Sequence, residues 1–488
     1  MINPNTPILI GISQLKRKID SLDQTMEPLL MMLEAAQLAE QDTGREGLLS
    51  QIQSVRVIKG VWTYENPAKY LAEKIGAPNA ETTGTLYGGN QVQSVVNHTA
   101  ADILKGRLDL VLITGAENGH SFLKSRKAGI KLPLTATPGE YDYVFGKQDP
   151  DNGPHEMALD IQRPIQVYPM FENALRYHRG ESLEEHLKRV SELWARFSKV
   201  AEDNPHAWIR KAVTAEEIRT PSAKNRRISF PYTKLMNSNM SVDMGAALIM
   251  SSVAKARSLG IPESNWIYPH AGVEGNDHAT ASVRDNYYSS PAIRLVGQKL
   301  FELTDSNIDS MDMVDLYSCF PVAVQIAAEE LELNEMAQLT ITGGLTFGGG
   351  PLNNYVMHSI ARMAELLREK PGTTGLITAN GGHLYKHAHC IYSSEPPAQD
   401  FQHGNVQDAI NRLPSRECIT GYSGAVTVES YTVMYDKDAP VVGYFACHTA
   451  DGKRTWARTF DTDLMQSMGK EEFCGRAAKL NDTAITVF

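Results

Sequence analysis

Residues 88–120 read GGNQVQSVVNHTAADILKGRLDLVLITGAENGH, and residues 349–383 read GGPLNNYVMHSIARMAELLREKPGTTGLITANGGH. Laid over one another, both stretches open on paired glycines and short polar residues. They continue at helical spacing and close on an apolar strand that ends in a polar, glycine-rich turn. In the first, Val92, Val95, Val96, Ile103 and Leu104 mark one helix, Gly106 stops it, and Asp109 to Thr114 form the strand. In the second, Val356, Met357, Ile360, Met363 and Leu367 repeat the pattern before Gly372, and Gly375 to Ala379 form the strand. A duplicated βαβ-type half accounts for this. The competing account is two unrelated strand–helix–strand units that share glycines by chance.

Outward from these copies, short apolar runs at Ile8 to Ile12, Val55 to Ile58, Leu110 to Ile113, Ala246 to Met250 and Leu376 to Thr378 alternate with helical patterns, which argues for an α/β architecture. The helices that follow the glycine pairs carry few charges on any face, so they are expected between two sheets. Their first turns present free N–H groups to a carbonyl or an anion, which draws attention to Gly88 to Asn90 and Gly348 to Asn354.

Between the copies, from about Asn118 to Asn237, the sequence turns polar, aromatic and proline-bearing, and reads as an insertion. One helix stands out there, opened by a Ser182–Glu185 capping box and running Leu183, Leu187, Val190, Trp194 and Phe197 along one face. Lys211, Arg219, Lys224, Arg226 and Arg227 make the segment locally basic. A solvated loop and a site for a polyanionic small molecule such as a nucleotide or CoA are both open readings of that charge. After about Asp400 the pattern alternates at Val426 and Val428, then at Tyr431, Val433 and Tyr435. Turns at Asp436 to Pro440 and Ala450 to Gly452 complete a small β-rich domain sized for a barrel.

The bulk properties bound the answer. The chain has 488 residues, 42% hydrophobic and 21% charged, which fits about three folding units of an ordinary globular protein. A net charge of −10 argues against general affinity for nucleic acid or an anionic membrane. No apolar run approaches a membrane span, and Met1 to Leu9 has neither a basic leader nor an apolar signal core, so a cytoplasmic location is expected. Five scattered cysteines, Cys319, Cys390, Cys418, Cys447 and Cys474, read as reduced thiols. His383, His387, His389 and Cys390 crowd one segment, but no helix pattern or second ligand pair accompanies them, and no metal is expected.

Several motifs together resemble the thiolase superfamily. TPILIGISQL from Thr6, GAENG from Gly115, NMSVDMGAALIM from Asn239, VDLYSCFP from Val314, GGLTFGGGPLNNY from Gly343 and LITANGGH from Leu376 occur in thiolase order and cover about residues 6 to 395. The resemblance is greatest to sterol-carrier-type thiolases and bacterial type-1 thiolase-like proteins, a group similar to acetyl-CoA acetyltransferases. It implies an α/β thiolase fold with two βαβαβαββ halves in an α/β/α/β/α layering. The halves are expected at 1–117 and 236–400, with an inserted loop domain at 118–235 and an additional C-terminal β domain at 401–488.

It also implies CoA or an acyl-CoA as ligand, in a lipid-metabolic setting, and a homodimer. Activity does not follow automatically. Counting back from Gly115, the family's nucleophilic cysteine falls on Gly89. The histidine of the Gly-His-Pro motif falls on Gly350, and the second reactive cysteine falls on Ala379. What survives by resemblance is the pair of oxyanion-hole amides, at Gly89 and Gly381.

Tyr317, Cys319 and His383 are the candidate catalytic side chains. A phenol serves as a proton donor, the thiol requires a lowered pKa to act as a nucleophile, and the histidine serves as a base beside the Asn-Gly-Gly turn. Asn354, His358 and Asn380 are candidate pocket residues, and Arg226 and Arg227 are candidate CoA-binding cations. The expected function is CoA-thioester binding without ordinary thiolase chemistry. The alternatives are a carbon–carbon lyase or condensing enzyme using Tyr317 and His383, and a scaffold acting through the C-terminal domain.

Overall fold

The computed structural model describes residues 2–146 and 149–487. Strand Leu110–Asn118 is buried on both faces, which is why its first four residues, Leu110 to Ile113, are all apolar rather than alternating. It pairs parallel with Ser54–Val57 and antiparallel with Asp243–Ser252, which in turn pairs antiparallel with Pro7–Lys16. The second half repeats this arrangement. Thr374–Gly381 pairs parallel with Met313–Asp315 and antiparallel with Lys386–Ser393, which pairs antiparallel with Tyr268–Asn276. Identical order and polarity in two sheets is the duplication seen in the sequence.

The helices of the two copies, Gln91–Leu104 and Tyr355–Glu369, lie between the sheets and touch both. Outer helices complete the layering, among them Pro28–Asp42 on the first sheet and Pro291–Thr304 on the second. Several polar residues of the central helices are buried with hydrogen-bond partners inside the protein. Thr99 Oγ1 donates to the Val95 carbonyl at 2.6 Å, and Gln93 Nε2 donates to Asn97 Oδ1 and to Tyr392 Oη, both at 2.9 Å. No helix among the described residues is long and apolar enough to cross a membrane.

The structure departs from the expected plan in several places. The second half has no strand between helices Pro321–Glu330 and Tyr355–Glu369; a single bond from Leu316 N–H to the Leu339 carbonyl, 3.0 Å long, marks that edge. Strand Gln402–Asn405, grouped by the sequence with the C-terminal domain, adds to the second sheet beside Tyr268–Asn276. The inserted segment is not a free-standing loop domain. Its strand Tyr143–Phe145 extends the first sheet, and its hairpin Arg227–Ser229 and Tyr232–Thr233 extends the C-terminal sheet.

The C-terminal domain is a closed five-stranded barrel. Ser423–Asp436, Ala439–Thr449, Arg454–Thr459, Ala484–Val487 and Ala477–Asn481 pair in that order, and the last returns to the first. Closure leaves no open edge among these strands. The alternation in Ser423–Asp436 changes phase between Val428 and Tyr431 because Glu429 is an extra residue, with Val428 opposite Cys447 and Ser430 opposite Ala446. The bulge keeps Val426, Val428, Tyr431 and Val433 in one buried cluster. The connecting turn, Lys437 and Asp438, has φ of 48° and 67°, the sign that a two-residue hairpin loop requires at both positions.

The barrel is fastened to helix Pro164–His178. Asn173 Nδ2 donates to the Tyr431 carbonyl at 2.9 Å, Ser430 Oγ donates to the Met170 carbonyl at 2.5 Å, and Arg176 Nη2 donates to Glu472 Oε1 at 2.9 Å. The bulged Glu429 pairs with Arg454, whose side chain is 0% exposed and also donates to the carbonyls of Ala281 and Ser282. Burial raises the Glu429 pKa, but Arg454 and His448 outweigh it and hold the carboxyl at about 2. This carboxylate therefore stabilises the fold above the ordinary carboxylate range, and the contribution is lost as pH falls toward 2. Arg454→Leu removes the main partner of that carboxylate and leaves it only His448, so unfolding in urea at pH 7 should show a loss of about 3–5 kcal/mol.

Candidate functional site

The loop between strand Glu81–Thr85 and helix Gln91–Leu104 carries Gly88 and Gly89 to the mouth of a cavity of ≈ 500 Å³. Tyr317 and Cys319 reach it from the segment after strand Met313–Asp315. Asn380, Gly381, Gly382 and His383 reach it from the end of Thr374–Gly381 and the turn that follows. Gly350 and Leu352 close it from the approach to the second central helix. The entrances to both central helices thus meet at one space.

The expected site residues Gly89, Gly350, Tyr317, Cys319, Asn380, Gly381 and His383 line this cavity, and Ala379, Asn354 and His358 do not. Asn354 Nδ2 is engaged by the Gly115 carbonyl at 2.8 Å, tying the second central helix to the first sheet. His358 faces Gln14, with Nδ1 and Oε1 3.2 Å apart, and burial lowers its pKa to about 3. Arg226 and Arg227 are exposed on the hairpin sewn to the barrel, away from the cavity wall. His387 is buried within strand Lys386–Ser393, 3.3 Å from Ser290 Oγ. His387, His389 and Cys390 form no metal-ligating cluster with His383 among the described residues.

Geometry at position 89 leaves no room for a side chain. A Cβ there would lie 2.4 Å from the Asn380 carbonyl oxygen and 2.5 Å from the Tyr317 hydroxyl. The phenol occupies the place from which a nucleophilic side chain would project. A Cβ on Gly381 would come within 3.2 Å of the Gly89 nitrogen, so the two main-chain segments abut. The Gly89 N–H has no acceptor among the described residues.

The side chains are tuned by exclusion of water. Burial, with Cys319 and Tyr355 nearby, raises the Tyr317 pKa well above its ordinary value, so the phenol keeps its proton. Its hydroxyl has no hydrogen-bond partner among the described residues, while its backbone N–H donates to Thr378 Oγ1 at 2.9 Å. Burial pushes the Cys319 thiol up to about 12, the opposite of what a nucleophile requires. Burial lowers the His383 pKa to about 4 against the opposing charge of Asp151, leaving a neutral imidazole at pH 7 whose Nδ1 is unpartnered.

Tyr168 is the wall residue that sequence reasoning missed. It stacks on Phe320 with ring centroids 4.4 Å apart, accepts from Asn380 Nδ2 and Leu384 N–H at 3.0 Å each, and donates to the Gly382 carbonyl at 3.1 Å. It sits on helix Pro164–His178, whose internal Pro169 masks the helical pattern. Arg163, just ahead of this helix, stands exposed on the cavity rim.

Two stacked, repeated α/β halves around paired central helices, with a cavity at their joined entrances, define the class: this chain belongs to the thiolase superfamily. Within it, residues 405–484 match the family described as the thiolase-like protein type 1 additional C-terminal domain. The crystal structure of a monomeric SCP2-thiolase like protein type 1 from Mycobacterium smegmatis is similar over 100% of both chains, with a TM-score of 0.86 and 28% identity. The Ltp2-ChsH2(DUF35) aldolase shares the fold over 80% of this chain and 98% of that chain, with a TM-score of 0.62 and 20% identity. An acetyl-CoA acetyltransferase of Methanocaldococcus jannaschii is 22% identical over 268 residues, 55% of this chain. The match spans 61% of that relative's length.

Because the space at position 89 is filled by a hydroxyl and a carbonyl, Gly89→Cys should lower stability by about 1–3 kcal/mol in chemical denaturation. Adding Tyr317→Phe should recover part of the loss, since the carbonyl contact remains. In the wild type at pH 8, mass spectrometry after iodoacetamide treatment should find Cys319 unmodified.

Proposed function

We propose that this chain binds a CoA thioester with the acyl carbonyl held between the main-chain amides of Gly89 and Gly381, and that it does so without cysteine-dependent thiolase chemistry. The observation that carries this reading is the cavity at the joined helix entrances, with the unpartnered Gly89 N–H beside Gly381 and glycine, not cysteine, at position 89. Main-chain donors survive loss of a side chain, and each oxyanion donor of this kind is worth about 3 kcal/mol where a carbonyl oxygen gains charge. The wall is mainly apolar, with Phe320, Leu345, Leu352 and Ile165, and suits an acyl group. Arg163 on the rim is the cation positioned to meet a phosphate. All these residues come from one chain, so the reading holds for a monomer as for the homodimer expected from resemblance.

A second reading, carbon–carbon lyase chemistry, is favoured by the protonated Tyr317 hydroxyl beside Gly89. On a β-hydroxyacyl thioester, neutral His383 takes the hydroxyl proton and the Cα–Cβ bond breaks as a new carbonyl forms. The electron pair moves through Cα to the thioester oxygen, giving an enolate; Tyr317 then protonates Cα, and the proton that His383 took from the hydroxyl returns to Tyr317. The products are an aldehyde or ketone and a shortened acyl-CoA.

Saturating CoA or acetyl-CoA should raise thermal stability, by about 2.7 kcal/mol at a hundredfold excess over Kd. Acetoacetyl-CoA should undergo no thiolysis. Absence of any CoA-linked stabilisation would overturn the binding reading. In the lyase reading, Tyr317→Phe removes turnover of β-hydroxyacyl-CoA while CoA-linked stabilisation persists.

A further inference from the structure

Away from the cavity, three elements bring two imidazoles and a carboxylate to one point. His98 is on the first central helix, Glu274 on strand Tyr268–Asn276 and His403 on strand Gln402–Asn405. His403 Nε2 lies 2.9 Å and His98 Nε2 3.7 Å from the same Glu274 oxygen, and the ligand-type atoms of all three residues fall within 4.8 Å of one another. Tetrahedral ligands about 2.0–2.1 Å from a zinc ion stand some 3.4 Å apart, so these separations bracket the required spacing. None of the three lines the cavity.

We propose that His98, Glu274 and His403 form a Zn²⁺ site, with the remaining coordination open to water. Two imidazoles and one carboxylate are a borderline donor set that suits zinc and related transition metals rather than Mg²⁺ or Ca²⁺. The second carboxylate oxygen is already held, because Ser94 Oγ donates to Glu274 Oε2 at 3.1 Å and so orients the oxygen that faces the imidazoles. The His98 ring is braced edge-on against Phe145, 4.5 Å away, and against His403, 4.4 Å away. The three side chains are 43%, 18% and 20% exposed, so an ion enters from solvent without unfolding. The metal takes the place of the proton now shared between His403 and Glu274. It joins the first half's central helix to the second half's sheet and to the strand that leads into the barrel.

The test uses the full chain, stripped with a chelator and given one equivalent of ZnCl₂ at pH 7.5. After desalting, elemental analysis should return one zinc per chain, with a higher melting temperature, and Co²⁺ in place of zinc should give visible absorption bands. His98→Ala and His403→Ala, both at partly exposed positions, should each weaken zinc binding by more than about 100-fold while Ser94→Ala costs roughly 10-fold. CoA-linked stabilisation should be unchanged in the histidine variants, which separates this site from the cavity. No retained zinc, or zinc retained equally by both histidine variants, would mean that these residues hold only a proton-mediated ion pair.

Discussion

Where the chain enters its first central helix, backbone meets backbone with no room between. The Asn380 carbonyl and the Tyr317 hydroxyl crowd Gly89 from one side, and Gly381 abuts its nitrogen. The central helices are held between two sheets that both touch them. Residue 89 therefore has to be glycine in this packing. The shape of the site leaves no room for a side chain at this position, and a phenol and an imidazole stand nearby.

Dryness sets the character of those groups. The same burial that keeps Tyr317 and Cys319 protonated keeps His383 uncharged. A cavity so tuned offers proton donors and one neutral base, and it offers no thiolate. Its wall is borrowed from three parts of the chain, since Tyr168 comes from the segment inserted between strands Leu110–Asn118 and Asp243–Ser252.

Much of the core was legible because its signals are local and repeated. Glycine pairs, helical spacing and apolar strands mark both halves, and the Ser182–Glu185 box marks Leu183–Asp203, where Glu185 N–H donates to Ser182 Oγ at 3.2 Å. Gly89, Tyr317 and His383 were found through motif order. Tyr168 was hidden by Pro169 in its own helix, and Asn354 and His358 were misplaced because spacing along a helix does not say which sheet a side chain will meet. The alternation at Val426 and Val428 and again from Tyr431 was legible, and the bulge that joins the two runs was not. His98, Glu274 and His403 are far apart in sequence, and only the parallel pairing of Gln402–Asn405 with Tyr268–Asn276 brings them together.

The C-terminal barrel is bonded to the very helix that supplies Tyr168, through Asn173, Ser430 and Arg176. Part of the inserted segment is woven into its sheet as a hairpin. An appendage attached in this way is not a detachable module. To trim it or exchange it for another would also reshape the wall of the cavity, so the cavity and the tail of the chain are bound to change together.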